Sequence, residues 1–239
     1  MRQFAGEFEI HLTVRLPDGP EPGGGPQAGA EDGTPAAERR LRAWAAAHGL
    51  KYTHIVLDRG RTPRQPMVSR TRAGTLTALR EEASGLADGL AAAGFAVVRT
   101  KIEAAPWNQD VPGSPEQAVG RGAHEYFEHH VKVVLGGEAE VVALARTAAP
   151  HGGHVSRNAR RVVGDGRQER FVTQRCRGVG RPEAAARLAA LVEDLTAAGH
   201  RVVEVEEEYV VHDDNLAVDA GWAEDDTPAA RPGRGEGAR

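Results

Sequence analysis

Glu7-Phe8-Glu9-Ile10-His11-Leu12-Thr13-Val14-Arg15-Leu16 and Tyr126-Phe127-Glu128-His129-His130-Val131-Lys132-Val133-Val134-Leu135 agree at five of ten positions: Phe8/Phe127, Glu9/Glu128, His11/His130, Val14/Val133 and Leu16/Leu135. A segment that recurs in one chain points to a structural unit that recurs. In the first copy Phe8, Ile10, Leu12, Val14 and Leu16 fall at every second position, which is the alternation of a strand buried on one face. Its other face carries Glu9, His11, Thr13 and Arg15. The second copy puts Glu128, His130 and Lys132 on the corresponding face. A polar Glu-x-His pair is therefore repeated where an ordinary hydrophobic strand has no use for one.

Reading outward, the same order of elements follows each copy. After the strand at 5–16 comes a Gly/Pro-rich loop at 17–34, with Thr34-Pro35 as the opening of a helix that stops at Gly49. Strands are predicted at 51–57 and 65–72, joined by the Asp58-Arg59-Gly60 turn. A helix follows, with Leu76, Leu79, Ala83, Leu86 and Leu90 at helical spacing, then a strand from Phe95 to about Glu103. The second half gives a strand at 125–135, a helix at 138–149 and strands at 154–162 and 168–176 around Gly164-Asp165-Gly166. A helix opening at Pro182 carries Ala184, Leu188, Leu191 and Leu195, and a last strand starts near His200. The helix endings Ala92-Ala93-Gly94 and Ala197-Ala198-Gly199 match. Twice-repeated βαββαβ predicts an α+β fold, a tandem duplication of a ferredoxin-like unit with antiparallel sheets and the helices on one face. The expected organisation is repeat 1 over 1–104, a linker at 105–123, repeat 2 with a C-terminal extension over 124–222, and a polar, disordered tail at 223–239. The extension contains Val210-Val211-His212-Asp213-Asp214-Asn215 and Gly221-Trp222, too apolar and specific for a free tail, and should dock onto the body.

Composition narrows the classes. The 239 residues are 40 % hydrophobic and 27 % charged with a net charge of −4, which describes a globular chain. Of 30 basic residues only Lys51, Lys101 and Lys132 are lysine; the arginine bias fits a GC-rich bacterial genome better than a nucleic-acid surface. Cys176 is the single cysteine, which excludes an internal disulfide and a C-x-x-C site. No stretch approaches the roughly 18 apolar residues of a membrane helix, and Met1 leads directly into a strand, so no membrane partner and a cytoplasmic location are expected. Oligomeric state is not readable.

Chemistry should lie where the repeated polar faces meet. Because side chains at i and i+2 share a face, Glu9, His11 and Thr13 line the face that the helices leave open in one half. Glu128, His130 and Lys132 do so in the other, and a pseudo-twofold arrangement brings the two sets to the junction of the sheets. One reading is a structural seam in which His and Glu satisfy each other. A second is a divalent metal, the only cofactor suggested, held by Glu9, His11, Glu128 and His130. The third, and the main expectation, is a pocket for an anionic small molecule or metabolite, with His11, Thr13, His130 and Lys132 as donors and Arg70 and Arg72 in support. Whether the protein is an enzyme stays open, because no P-loop, G-x-G-x-x-G, G-x-S-x-G or H-E-x-x-H is present.

Ile10-His11-Leu12-Thr13-Val14 also resembles the strand motif of the 2H phosphoesterases, bilobal enzymes in which each lobe supplies one His-x-Thr/Ser. The resemblance implies one histidine as base and the other as acid on a 2′,3′-phosphodiester. It covers only these residues. The repeat counterpart, His130-Val131-Lys132, lacks the hydroxyl, and His154-Val155-Ser156 has the spacing on a different strand. His129 reads as a core histidine. His54 and His154 fall on second strands expected at sheet edges, and Glu204, Glu206 and Glu208 read as a solvated face that deters edge pairing. Trp107 is expected to dock by apolar burial.

Overall fold

A computed structural model describes residues 4–16, 35–158 and 167–223. The loop at 17–34, the turn at 164–166 and the tail at 224–239 lie outside the described residues. The chain is a mixed α/β protein: β1 (Ala5–Arg15), α1 (Ala36–Ala47), β2 (Lys51–Leu57), β3 (Arg64–Thr75), α2 (Leu76–Ala92), β4 (Ala96–Ala104), α3 (Pro115–Ala118), β5 (Tyr126–Leu135), α4 (Val141–Ala148), β6 (Gly153–Asn158), β7 (Gln168–Cys176), α5 (Arg181–Ala197) and β8 (Arg201–Asp213). Apart from the one-turn α3, the order is βαββαβ twice. Thr75 caps α2 by accepting from the Ala78 N–H at 3.4 Å. Helices α2 and α5 both stop at a left-handed glycine, Gly94 at φ 83° and Gly199 at φ 85°.

Each half has the strand order fourth-first-third-second, and all pairs are antiparallel. The halves join edge to edge, β2 to β6 and β4 to β8, closing one barrel: β1-β3-β2-β6-β7-β5-β8-β4. This corrects the expected packing of two open faces against each other. Strand β8 runs for 13 residues and outreaches β5, so Tyr209, Val210, His212 and Asp213 pair with β4 of the other half. His54 and His154 are buried rather than on exposed edges, because Glu38 of α1 lies 3.5 Å from His54 and Trp222 of the C-terminal extension packs on His154.

The apolar faces point outward under the helices. Phe8, Ile10 and Leu12 pack with Leu41 of α1 and with Leu79 and Leu90 of α2. Val131 and Val133 pack with Leu144 of α4 and with Leu188, Leu191 and Leu195 of α5. Each of these leucines contributes about 1.5–3 kcal/mol when buried. His129 shares this outer face, as its position predicts, and lies 2.9 Å from Gln174 Oε1 through Nδ1. The wall leaves little room: a Cβ on Gly153 would lie 2.8 Å from Val172 Cγ1 and 2.9 Å from the Ala148 carbonyl oxygen. Gly153→Ala is therefore expected to destabilise by about 1–3 kcal/mol through overpacking, read as a lower urea midpoint with an unchanged m-value.

Two segments outside the strands differ in their fate. Trp107 does not dock; it is 68 % exposed. Its neighbour Asn108 does, donating to the Glu7 carbonyl at 2.6 Å and accepting from the Glu7 N–H at 3.1 Å. An amide side chain can satisfy a strand-edge donor and acceptor together, which an indole cannot. The C-terminal extension docks as expected, with Trp222 buried against Leu57 and its indole N–H donating to the Val155 carbonyl at 3.0 Å.

Candidate functional site in the barrel interior

Since the apolar faces lie under the helices, the alternate positions line the interior. Register fixes which these are. His11 stands opposite Ser69 on β3 and Lys101 on β4, and Glu9 stands opposite Thr71 and Glu103. On β5, Glu128, His130 and Lys132 stand opposite Arg175, Thr173 and Phe171 of β7 and opposite Glu208, Glu206 and Glu204 of β8. The interior is accordingly polar and charged.

Its lower layer is an ion network. Arg99 grips Asp213 with two bonds, Nε to Oδ1 at 2.9 Å and Nη2 to Oδ2 at 2.5 Å, and sends Nη1 to Asp219 at 2.9 Å. Arg175 donates at 2.7 Å to both Glu128 and Asp219. Tyr126 donates its hydroxyl to Asp213 at 3.0 Å. Burial pushes the Asp219 carboxyl up, but Arg99 and Arg175 outweigh it and hold it at about 2. Burial likewise opposes ionisation of Asp213, and Arg99 wins there too, so its pKa is lowered.

Above this layer Lys101 bridges Glu128 and Glu103, lying 2.5 Å from the latter. His11 Nε2 is 2.5 Å from Glu103 Oε2. Against the effect of burial, Lys101 and His11 bring Glu103 down to about 2. Burial also opposes ionisation of Glu128, yet Lys101 and Arg175 hold it well below the carboxylate range. His130 Nδ1 lies 3.0 Å from Thr173 Oγ1, while its Nε2 stands 3.6 Å from both Glu128 Oε2 and Glu208 Oε2. Glu208 is pushed well above the carboxylate range, by burial first and then by Glu103. The two layers hold five carboxyl groups (Glu103, Glu128, Glu208, Asp213, Asp219) against three permanent cations (Arg99, Lys101, Arg175), and Glu208 is the one kept from ionising. The upper layer carries the surplus of acid.

The repeated Glu-x-His pairs do turn inward, and His11 and His130 both adjoin Glu103. Glu9 is on the same face, but its carboxylate is not in the group formed by Glu103, His130 and Glu208, whose donor atoms lie within 4.8 Å of one another. Thr13 is buried on the interior face, opposite Arg99. Lys132 is taken up by an ion pair with Glu204. Arg70 and Arg72 are not in the interior. They stand opposite Ile10 and Phe8 on the helix side, and both bond Glu82 of α2, at 2.9 and 3.2 Å. Parity along β3 places them there: Ser69 and Thr71 take the inward positions. Glu204 and Glu206 are exposed, as a solvated face requires, on the part of β8 that pairs with β5 alone; Glu208, next to the stretch that also pairs with β4, is half-buried. The His-x-Ser pair is not brought to His11: His154 lies 3.2 Å from Arg59 and 5.5 Å from the Trp222 ring, whereas His11 goes to Glu103.

Sequence reading missed Arg99, Lys101, Glu103, Arg175, Asp213 and Asp219 as site residues. A signal existed for the first three. They alternate along β4, as Glu9, His11 and Thr13 do along β1, and neighbouring antiparallel strands share a face.

No known protein-family profile and no curated protein sequence matches the chain. Among solved structures it is similar to the ligand-free regulatory subunit of aspartate kinase from Thermus thermophilus, at 14 % identity and TM-score 0.30, covering 80 % of this chain and 94 % of that one. It is also similar to aspartate kinase from Synechocystis, at 11 % identity and TM-score 0.24, covering 87 % of this chain and 45 % of that one. Likenesses of this size carry no argument about fold or ligand, which rest on the strand pairing and the interior chemistry.

Proposed function

We propose that the upper layer of the barrel interior binds a divalent cation through Glu103, His130 and Glu208, and that the ion presents its open positions to an oxygen of a small anionic molecule. The observation that carries this reading is the spacing of the donors. Glu103, His130 and Glu208 each offer one ligand atom, all within 4.8 Å of one another. The 3.6 Å from His130 Nε2 to Glu208 Oε2 is too long for a hydrogen bond. It is close to the roughly 3.4 Å between neighbouring ligands of a tetrahedral ion with bonds of about 2.1 Å. Thr173 beside Nδ1 can accept that ring proton, which leaves the Nε2 lone pair for the metal and fixes the ring. Mixed imidazole and carboxylate donors suit zinc, manganese or iron(II). A divalent ion placed between Glu103 and Glu208 also takes the place of the proton that Glu208 holds beside Glu103. The anionic ligand would reach the protein through the metal, because Arg70, Arg72 and Lys132 already have carboxylate partners.

Supporting a tandem duplication are the matching residues of β1 and β5, the repeated βαββαβ order and the repeated strand order within each half. On this reading the duplication supplied two inward Glu-x-His pairs, of which the second contributes His130 to the metal and the first sends His11 to its ligand Glu103.

The test is titration of untagged, chelator-treated protein with Zn²⁺ and Mn²⁺, followed by melting temperature and calorimetry. At a hundredfold excess over Kd the ion is expected to stabilise by about 2.7 kcal/mol. His130→Ala and Glu208→Gln should each reduce affinity by at least about tenfold. Failure of both ions to bind the folded wild-type protein would remove the metal reading.

A further inference from the structure

The carboxylate of Asp219 is the one member of the lower network that no barrel strand supplies. It arrives on the short turn of 3₁₀ helix Leu216–Asp219, after β8 has ended. Three strands converge on it. Arg99 of β4 and Arg175 of β7 each donate one N–H to Oδ2, at 2.9 and 2.7 Å, and Gln65 of β3 donates to Oδ1 at 2.9 Å. Asp219 is 3 % exposed.

The two arginines do not need Asp219 for charge balance. Arg99 already holds Asp213 through two bonds, and Arg175 already holds Glu128. Beyond those pairs each guanidinium turns one further N–H, and Gln65 its amide, to the same carboxylate. Donors fixed on three paired strands and directed at a single carboxylate form a preorganised oxyanion socket.

The segment that fills the socket is buried at Val218, Asp219, Ala220, Trp222 and Ala223, but it docks outside the two main cores. Trp222 and Ala223 pack with Leu57 in a cluster separate from both main cores. The Ala220 carbonyl accepts from the Arg61 N–H at 2.9 Å and the Trp222 carbonyl from Arg59 at 3.3 Å, while the Trp222 indole donates to the Val155 carbonyl at 3.0 Å and the Asn215 amide to the Val98 carbonyl at 2.8 Å. Segments with few apolar contacts open at a lower free energy than the body they rest on. When this one withdraws, Asp213 still holds Arg99 and Glu128 still holds Arg175.

We infer that the floor of the barrel is a receptor for a small carboxylate, that Asp219 is its internal occupant, and that a carboxylate ligand enters by replacing the 215–223 segment. This does not rest on the metal reading: it uses different side chains and needs no ion. It supplies the barrel with a ligand class and with a self-occupied resting state.

The probes are sodium acetate and sodium formate against sodium chloride at equal ionic strength, applied to the full chain. Asp219→Ala leaves the socket empty. About 100 mM acetate or formate should then raise its melting temperature by at least about 3 °C more than chloride does, with a much smaller difference for wild type. Asp219→Ser serves the same purpose should the alanine variant melt without a cooperative transition. In the wild-type protein, acetate should speed amide exchange at Arg61, whose N–H is held by the segment, relative to matched chloride. No carboxylate-specific stabilisation of a cooperatively melting variant would overturn the receptor. Stabilisation of the variant with unchanged Arg61 exchange in the wild type would show a permanent structural plug and overturn the replacement.

Discussion

Arg175→Leu is expected to cost about 3–5 kcal/mol of folding stability, a large share of the roughly 5–15 kcal/mol available to a domain. The arginine is buried among side chains that depend on it. Its Nε satisfies Glu128 and its Nη2 satisfies Asp219, both at 2.7 Å, and its guanidinium lies 5.2 Å from the centre of the Tyr126 ring. Leucine fills part of the volume but leaves two buried carboxylates each short of a charged donor, and the penalty for an unpaired buried charge exceeds any gain in apolar contact. Lys101 still reaches Glu128 and Arg99 still reaches Asp219, which keeps the loss within this range. An exposed pair gives the contrast. Arg187 and Glu183 are one helical turn apart on α5 at 2.6 Å, and Arg187→Ala should change stability by no more than about 0.5 kcal/mol. Urea denaturation of the two variants at neutral pH measures both values. A loss below about 1 kcal/mol for Arg175→Leu would mean that the carboxylates of the barrel floor are not paired as described.

How much of this was legible follows from what each signal encodes. Alternation along Phe8–Leu16 and its echo at 126–135 is a local property of the chain, and it carried the element order and the inward direction of Glu9, His11, Glu128 and His130. Which edges pair is not local. Nothing in the residues of β2 and β6 says that Leu57 meets Ser156, so two open sheets and one closed barrel share the same pattern. The difference changes the chemistry. In stacked open sheets Glu208 could face solvent; in the barrel it is half-buried opposite Glu128, while Glu204 and Glu206 stay exposed. Arg70 and Arg72 illustrate a second limit. Being two residues apart they share a face, but a strand that begins one residue earlier or later exchanges inside for outside. Asp219 shows a third: a residue on a 3₁₀ turn beyond the last strand reaches the centre of the fold through tertiary docking alone, and no periodicity announces it.

Acid is expected to undo the barrel floor before the rest of the fold, and Asp219 gives the window. Its carboxyl is held at about 2 in the folded chain against an ordinary value of 3.8, with burial opposing and the two arginines prevailing. A carboxyl whose folded pKa is depressed contributes stability that is complete above the unfolded value and is lost as pH falls through the folded one. The loss therefore runs from about pH 4 down to about pH 2, and a gap of this size corresponds to about 2–3 kcal/mol for a buried group. Asp213 is shifted in the same direction by Arg99 and steepens the same decline. Asp219→Asn isolates the contribution. At neutral pH the variant should be less stable than the wild type, because an amide brings an N–H group and no charge to two guanidinium donors. As pH falls toward 2 the wild-type carboxyl is protonated and the two proteins should converge, the difference between them shrinking by about 1–2 kcal/mol by about pH 2.5. Urea midpoints at pH 7, 4, 3 and 2.5 trace that convergence. A stability difference independent of pH over this range would show that Asp219 holds its position by shape alone, and that the charge it presents to Arg99 and Arg175 does not stabilise the fold.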